Sequence, residues 1–441
     1  MAMLSDFKKN KNPVQASTIG FLPRTVTIPL SQETGFECSS IVKAGDSVKE
    51  GQVIAEVSRD RYGTKAFGVA KIHSPIPGKV IGIKNCTYPN GLQGNAIEIL
   101  LSGSFTYTGK KQSQFEWQNY SPAMLLRTIS DSGVVNTFSN TFCSSFELEV
   151  NKIKDSENRR LFVRLFDEDP TCQTDSILTR NDFDKIAQGI LITAKVSDAT
   201  ELIIAYAANE KLQNMFNIQQ SDLFGPLPVT YLPLDVRGYP AGGKRELINA
   251  YKKLRKNSLP NSKIEKECLF TDSNTMMHVY NAVVMNIPVE TVNVFVTGDC
   301  LQAKALLNVR IGTTLDSIAK QCGGFIKKLG RIIVNGEITG TAINSLDTPV
   351  TKYVKSITFT SETNHLDDCA EMCLRCGRCR HVCKSGLSPD IIYSSVIYGA
   401  EVEKIFIDSA ALCNECGICS AFCPSHLPLT QIIKLVKNER Q

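Results

Sequence analysis

Two identical cysteine runs near the C-terminal end constrain this 441-residue chain more than anything else in it. Cys373, Cys376, Cys379 and Cys383 read C-x2-C-x2-C-x3-C, and Cys413, Cys416, Cys419 and Cys423 repeat the spacing, with Pro424 after the last. Of the 16 cysteines, nine fall between Cys369 and Cys423 and seven are scattered earlier. The first residues, MAMLSDFKKNKNPVQ, carry no apolar run after their lysines, so a secretory leader is not expected. Dense, regularly spaced cysteines then read as metal ligands before disulfides. A C-x2-C-x2-C loop wraps three thiolates around one face of an iron–sulfur cubane, and in two-cluster ferredoxins the fourth cysteine ligates the other cluster. The expectation is two 4Fe–4S clusters with crossed ligands. Cys373, Cys376 and Cys379 pair with Cys423, and Cys413, Cys416 and Cys419 pair with Cys383. Crossing holds the clusters close together, as an electron wire needs.

Gly377 and Gly417 follow the second cysteine of each run, where the backbone must bend and offer N–H groups to sulfur. Paired C-x2-C motifs also build four-cysteine zinc sites, but two identical four-cysteine runs favour clusters. Lys384 follows Cys383 where proline would be usual, a departure that removes no ligand. Pro389 to Ala411, between the runs, has apolar residues at helical spacing. Cys38, Cys86, Cys143, Cys172, Cys268, Cys300, Cys322 and Cys369 lie outside both motifs and read as small core hydrophobes. Cys369, four residues before Cys373, is set aside as an alternative ligand.

The rest of the composition narrows the class. A chain 42% hydrophobic and 21% charged, with 29 Gly and 18 Pro, is neither mainly disordered nor collagen-like. Its length suggests roughly three domains. No stretch approaches the roughly 18 apolar residues needed to cross a bilayer. The net charge, 49 − 44 = +5, is spread along the chain and gives no nucleic-acid signal.

Residues 41–56, IVKAGDSVKEGQVIAE, place Gly45 and Gly51 as turns between short alternating strands. His73 to Val80, HSPIPGKV, opens a further strand pair that ends at Glu98-Ile99-Leu100. The pattern is similar to a lipoyl-type barrel-sandwich hybrid. It lacks the Asp-Lys-Ala tripeptide of a lipoylated arm, so the domain is expected to be structural, with His73 packed rather than ligating. Over 122–270, apolar runs such as Gly189–Ala194 and Leu202–Tyr206 alternate with polar helix-like stretches, the signature of a parallel sheet with covering helices. Residues 291–361 read strand, strand, helix and more strands, with a helix from Leu315 to Gly323-Gly324, as in a small β-grasp domain.

Gly238 to Lys244 fits G-x4-G-K. However, Arg245 stands where a P-loop needs Ser or Thr for magnesium, and Pro240 removes a phosphate-binding N–H. No G-x-G-x-x-G fingerprint occurs, so an ordinary dinucleotide fold is not supported.

Taken in order, the HSPIPGKV turn, RGYPAGGKRELI at 237–248, RIIVNGEITGTAINSLDTPVTK at 331–352 and the two cysteine runs resemble the RnfC family of the Rnf electron transport complex over residues 20–435. The resemblance implies an α+β multidomain chain. A barrel-sandwich hybrid would span 1–115, an α/β FMN/NADH-binding-type domain 120–275, an SLBB-type β-grasp domain 288–361, and a helical ferredoxin domain with two 4Fe–4S clusters 362–441. It further implies a peripheral subunit on the cytoplasmic face of a bacterial inner membrane, passing electrons between NADH and FMN and an iron–sulfur partner subunit. A ferredoxin- or flavodoxin-type carrier would be served through the complex. The family's glycine-rich flavin loop corresponds here to Ser132–Thr141, where Gly133 is the one glycine and Asn136 and Asn140 tolerate left-handed backbone. By the same resemblance Glu168 and Asp169 belong to an acidic loop near the nicotinamide, which could equally be a solvated turn. Gly242, Gly243 and Lys244 would meet the flavin phosphate, or form a plain helix-initiating turn. No catalytic residue is assigned. Two alternatives stand beside this reading: a cluster-carrying relay with a degenerate flavin/NADH site, and a soluble cobalamin-reductase-type flavoprotein. Arg375, Arg378, Arg380 and Lys384 make a basic rim around the first run, suited to an acidic partner.

Overall fold

The computed structural model describes residues 17–32, 37–57, 69–105, 116–139, 143–208, 224, 227–256, 258–362 and 372–438. Asn140, Thr141 and Cys369 therefore lie outside the described residues. The N-terminal part forms two antiparallel sheets. One orders Thr25–Pro29, Gln93–Leu101, Gly78–Thr87 and Ser47–Val48, and the other Cys38–Ser40, Val53–Val57 and Ile72–His73. Alternation along the strands turns Val26, Ile28, Ile54, Ile72, Val80, Ile97 and Ile99 into one core. Gly45 and Gly51 turn the chain at φ 95° and 74°, conformations that favour glycine. The strand Ser17–Ile19 lies elsewhere. It pairs in parallel with Ala305–Arg310, at the edge of a different sheet.

In the middle, four parallel strands stand in the order Val229–Leu234, Glu201–Ala207, Arg160–Arg164, Cys268–Asp272. The chain starts on the inner strand Arg160–Arg164, builds outward on one side, and then crosses to the other side of it. That reversal creates a topological switch point between Arg160–Arg164 and Cys268–Asp272. Leu161, Val163, Leu202, Ile204 and Leu269 face the helices Phe183–Val196 and Ser273–Val283. Phe162, Ile203, Phe270 and Ala205 face Lys244–Arg255 on the opposite side. Residues 189–194, whose apolar run suggested a strand, lie inside the helix Phe183–Val196. A short apolar run does not separate a buried strand from a buried helix. Here Gly189 sits against the Met276 backbone, where a side chain would overlap.

A third, six-stranded mixed sheet orders Ser17–Ile19, Ala305–Arg310, Thr291–Thr297, Ser356–Ser361, Leu329–Val334 and Thr341–Ile343, with the helix Leu315–Gln321 inserted between strands. The C-terminal part is helical. Its core is small, built of Ile392, Tyr393, Ala410, Leu427, Leu429, Ile433 and Val436 together with Cys379, Cys419 and Cys423. The helix expected over Pro389–Ala411 is broken. Gly399, at φ 64°, ends Pro389–Tyr398, and a second helix runs Lys404–Asp408.

Candidate functional site

The two cysteine runs fold as a duplicated unit, offset by 413 − 373 = 40 residues. The duplication extends to the backbone. Arg375 and Glu415 (φ 52° and 58°), Gly377 and Gly417 (φ 71° and 74°), and Gly386 and His426 (φ 70° and 51°) are all left-handed at matching positions. Each of Gly377 and Gly417 begins the short helix that carries the third cysteine, Arg378–Val382 or Ile418–Ala421. At the next matched pair, the Cys379 Sγ lies 3.7 Å from Asp390 Oδ1 and the Cys419 Sγ 3.2 Å from Thr430 Oγ1. Asp390 is held by Arg380, whose Nε and Nη2 donate to its two carboxylate oxygens at 2.7 and 2.6 Å. Backbone N–H groups point at sulfur as well, from Leu387 to Cys383 at 3.3 Å and from Glu415 to Cys413 at 3.4 Å.

Cys373, Cys376, Cys379 and Cys423 line one cavity, together with Leu374, Leu427 and Leu429. The fourth cysteine of the second run thus joins the first three of the first. Burial pushes the Cys379 and Cys413 thiols up to about 11 and Cys416 to about 12, so metal loading must displace protons. In the second set, the charges of Cys419 and Cys413 also bear on Cys416, and that of Cys383 on Cys419. Among the described residues no three His, Cys, Asp or Glu side chains are placed to hold a single metal ion. All-sulfur donors, N–H groups on sulfur and apolar walls fit an iron–sulfur cluster.

The cysteine module is seated on the central domain through both runs. Tyr239 donates its hydroxyl to the Cys416 carbonyl, Asn414 Nδ2 donates to Glu246 Oε1 at 3.1 Å, and Arg245 donates to Ser385 Oγ at 2.9 Å. Gly417 lies against the Ile338 carbonyl of the six-stranded sheet's loop. The segment that mimics a P-loop therefore serves as a platform for the cysteine module. Spacing alone offered no signal for Tyr239, Glu246 or Ile338, because these contacts join distant parts of the chain.

The described residues that the resemblance assigns to flavin and nicotinamide are already engaged by the protein's own groups. Gly133 (φ 72°) faces Lys71, His73 and Lys352, and its carbonyl accepts from Lys352 Nζ at 2.7 Å. Asn136 is buried and donates to the Phe270 carbonyl at 2.7 Å. Asp169 is wholly buried, accepting from the N–H groups of Thr171, Ile338 and Thr339 at 2.9, 2.9 and 3.0 Å. Asp167 accepts from the N–H groups of Asp175 and Ser176, both at 3.0 Å. The acidic loop of Asp167, Glu168 and Asp169 is thus a bonded, largely buried turn rather than a solvated one. Glu168 lies 3.6 Å from Arg164 Nη1. Gly243 caps the helix Lys244–Arg255, and Lys244 Nζ lies over the Phe270 ring, 5.6 Å from its centre.

Arg164 and Lys355, which sequence reasoning missed, lie at the switch point. Arg164, with no exposure, donates to the carbonyls of Phe166, Gly242 and Phe138 at 3.0, 2.8 and 2.7 Å, and stacks on the Phe138 ring at 4.2 Å. Lys355 Nζ lies 2.8 Å from both Asp175 Oδ2 and Asp272 Oδ2, all three buried. Burial and the neighbouring Asp272 charge push Asp175 up to about 7. Burial opposes the Asp272 charge too, but Lys355, Arg164 and the Thr275 bond outweigh it and hold Asp272 down to about 2. Charged residues inside the strand-like runs LFVRLF and YVKSITF were the available signal. Gly242 gives no cradle either, since an added Cβ would lie 3.1 Å from Arg164 Cδ and 3.2 Å from Phe166 Cε2. These residues do not fit a flavin.

Known proteins match this chain both in its N-terminal domain and along most of its length. The family described as the RnfC barrel sandwich hybrid domain matches residues 6–103. The C subunit of a proton-translocating ferredoxin:NAD+ oxidoreductase complex of Clostridium ljungdahlii is 25% identical over 84% of this chain and 78% of its own length. The C subunit of an ion-translocating oxidoreductase complex of Rhodobacter capsulatus is 27% identical over 83% of this chain and 69% of its own. Its counterpart in the Na+-translocating ferredoxin:NAD+ oxidoreductase complex of Acetobacterium woodii is 23% identical over 84% and 81%. Among solved structures, an NAD+-reducing NiFe hydrogenase in the H2-reduced state superposes with a TM-score of 0.50 at 12% identity, over 76% of this chain and 69% of that one, which is a likeness of fold. The barrel-sandwich domain and this run of relatives along most of the chain make the protein a relative of the C subunits of Rnf-type ion-translocating oxidoreductase complexes.

Proposed function

We propose that this protein is a peripheral electron-relay subunit of an Rnf-type membrane redox complex, with two 4Fe–4S clusters on its C-terminal module. The reading is supported above all by Cys423 lining one cavity with Cys373, Cys376 and Cys379, the crossed arrangement that two adjacent clusters require. Each cluster, when bound, supplies one-electron chemistry. The chain's own residues hold and orient the site. Gly377 and Gly417 turn the backbone so that the loops can close. The N–H groups of Leu387 and Glu415 are aimed at the ligand sulfurs, and Arg380 offsets the Asp390 charge beside Cys379.

Residues 288–361 would be the SLBB-type β-grasp domain and 362–441 the helical ferredoxin domain. Among the described residues no helix is long and apolar enough to cross a membrane, so attachment to the cytoplasmic face of the inner membrane would come through other members of the complex. The rim of Arg375, Arg378, Arg380 and Lys384 suits an acidic iron–sulfur partner. The relatives' complexes are named for ferredoxin and NAD+, and in this reading that chemistry belongs to the complex as a whole.

Cysteine variants test the reading. Cys423→Ser should alter the same electron paramagnetic resonance signal as Cys373→Ser, and Cys383→Ser the same one as Cys413→Ser. Pairing of Cys423 with the 413 set would refute crossed ligation. A protein that takes up zinc and no iron and sulfide would refute the relay.

A further inference from the structure

In open sheets of parallel strands, ligands bind in the crevice outside the carboxyl ends of the strands, at the point where the strand order reverses. In this chain that point lies between Arg164 and Asp272, which stand in register as the last residues of their strands. We propose that this crevice is closed by the protein's own side chains and holds neither a flavin nor a nicotinamide dinucleotide. The inference deepens the relay reading and rests on it.

Among the described residues, three layers fill the place. The loop of Asn136, Thr137 and Phe138 lies across the strand ends. Asn136 bonds to the Phe270 carbonyl, and Thr137 Oγ1 lies 3.0 Å from both oxygens of Asp272. Above the inner strand, the Arg164 guanidinium spans from this loop to the Gly242 turn, taking up carbonyls on both sides. On the other side of the reversal, Lys355 enters from beside the strand Ser356–Ser361 and joins the carboxylates that begin two helices. Asp272 caps Ser273–Val283 through the Thr275 N–H at 2.8 Å, and Asp175 accepts the Asn274 N–H at 3.0 Å.

The helix N-terminus that could meet a phosphate is therefore already occupied by a carboxylate. A phosphate brought to it would meet the buried Asp272 charge. A planar ring entering between the strand ends would have to displace Phe138 from its contact with Arg164, and the fully buried guanidinium would lose the Phe138 ring and carbonyl while keeping those of Phe166 and Gly242. Losing a hydrogen-bond partner at a buried charge costs free energy that ligand contacts would first have to recover. Gly133, the one glycine of the loop that would cradle a flavin, is itself held by Lys352, which donates to the carbonyls of Lys71 and Gly133 at 2.5 and 2.7 Å.

The test uses the full chain, purified anaerobically with its clusters reconstituted. FMN fluorescence is followed as protein is added, the thermal midpoint is measured with and without FMN, and NADH is then added while the visible spectrum is recorded. A closed crevice leaves the fluorescence unquenched and the midpoint unmoved, and the clusters bleach with dithionite but not with NADH. Quenching that saturates at one FMN per chain, or bleaching by NADH alone, would overturn the proposal. Iron and sulfide content reports on the relay and FMN quenching on the crevice, so the failure of one is distinguishable from the failure of the other.

Discussion

Replacing Lys355 by Met should destabilise the central domain more than almost any other single change of similar volume. The ammonium makes two charge-assisted bonds of 2.8 Å, to Asp175 and Asp272, in a site without solvent exposure. Each such bond contributes roughly 1.5–3 kcal/mol. Removing one partner of a buried ion pair costs about 3–5 kcal/mol, because the remaining charge stays desolvated. Asp175 already sits at about 7 and can accept a proton cheaply near neutrality, so the lower end, about 3 kcal/mol, is expected. For a cooperative unit of this size that corresponds to a drop of roughly 6–12 °C in the midpoint, read by anaerobic scanning calorimetry.

The pH dependence provides the sharper check. In the wild type Asp272 is held low, so its contribution is present above the ordinary carboxylate range and is lost as pH falls through about 2. Without Lys355 both buried carboxylates favour their protonated forms, so lowering the pH from 7 toward 4 relieves the variant more than the wild type. The gap between them should narrow. Adding Asp272→Asn to Lys355→Met should recover part of the loss, since the orphaned charge is gone. A shift of less than about 2 °C at pH 7, or a gap that widens on acidification, would refute the reasoning.

Two further outcomes follow from the same structure. Gly377→Ala and Gly417→Ala impose similar left-handed strain, roughly 1 kcal/mol, but only the second places a Cβ against the Ile338 carbonyl, whereas nothing lies within 4 Å of the first. Iron content should therefore fall clearly in Gly417→Ala and little in Gly377→Ala; equal losses would sink the packing argument. His278, wholly buried, is pushed down to about 4, chiefly by desolvation. A depressed histidine contributes stability that is present above about 6.5 and is lost as pH falls through 4, worth roughly 3 kcal/mol. His278→Gln should flatten the decline in thermal midpoint between pH 7 and 5, and an unchanged slope would remove His278 from the account.

The cysteine spacing foretold the paired loops of the C-terminal module because loop geometry is local. Three sulfurs on one short loop need two intervening residues each and a glycine that turns, and both are visible in eight cysteines with Gly377 and Gly417. The strand pairs of the N-terminal sandwich were legible for a similar reason, since alternation and turn residues act over a few positions. Residues 189–194 were not legible: a short, largely buried apolar run looks alike as strand or helix, and only the fold shows it inside Phe183–Val196. Gly399 divided the helix expected over Pro389–Ala411.

The nucleotide crevice belongs wholly to tertiary structure. Gly133, Gly242 and Asp169 occupy positions that resemble a flavin site, and their residue types leave its occupancy open. What decides it is Arg164 and Lys355, brought from separate segments onto carbonyls and carboxylates at the switch point. A loop sequence specifies which backbone shapes are accessible, but whether a cavity remains is set by every side chain that folding delivers to it. Buried charges from distant strands met there and satisfied one another.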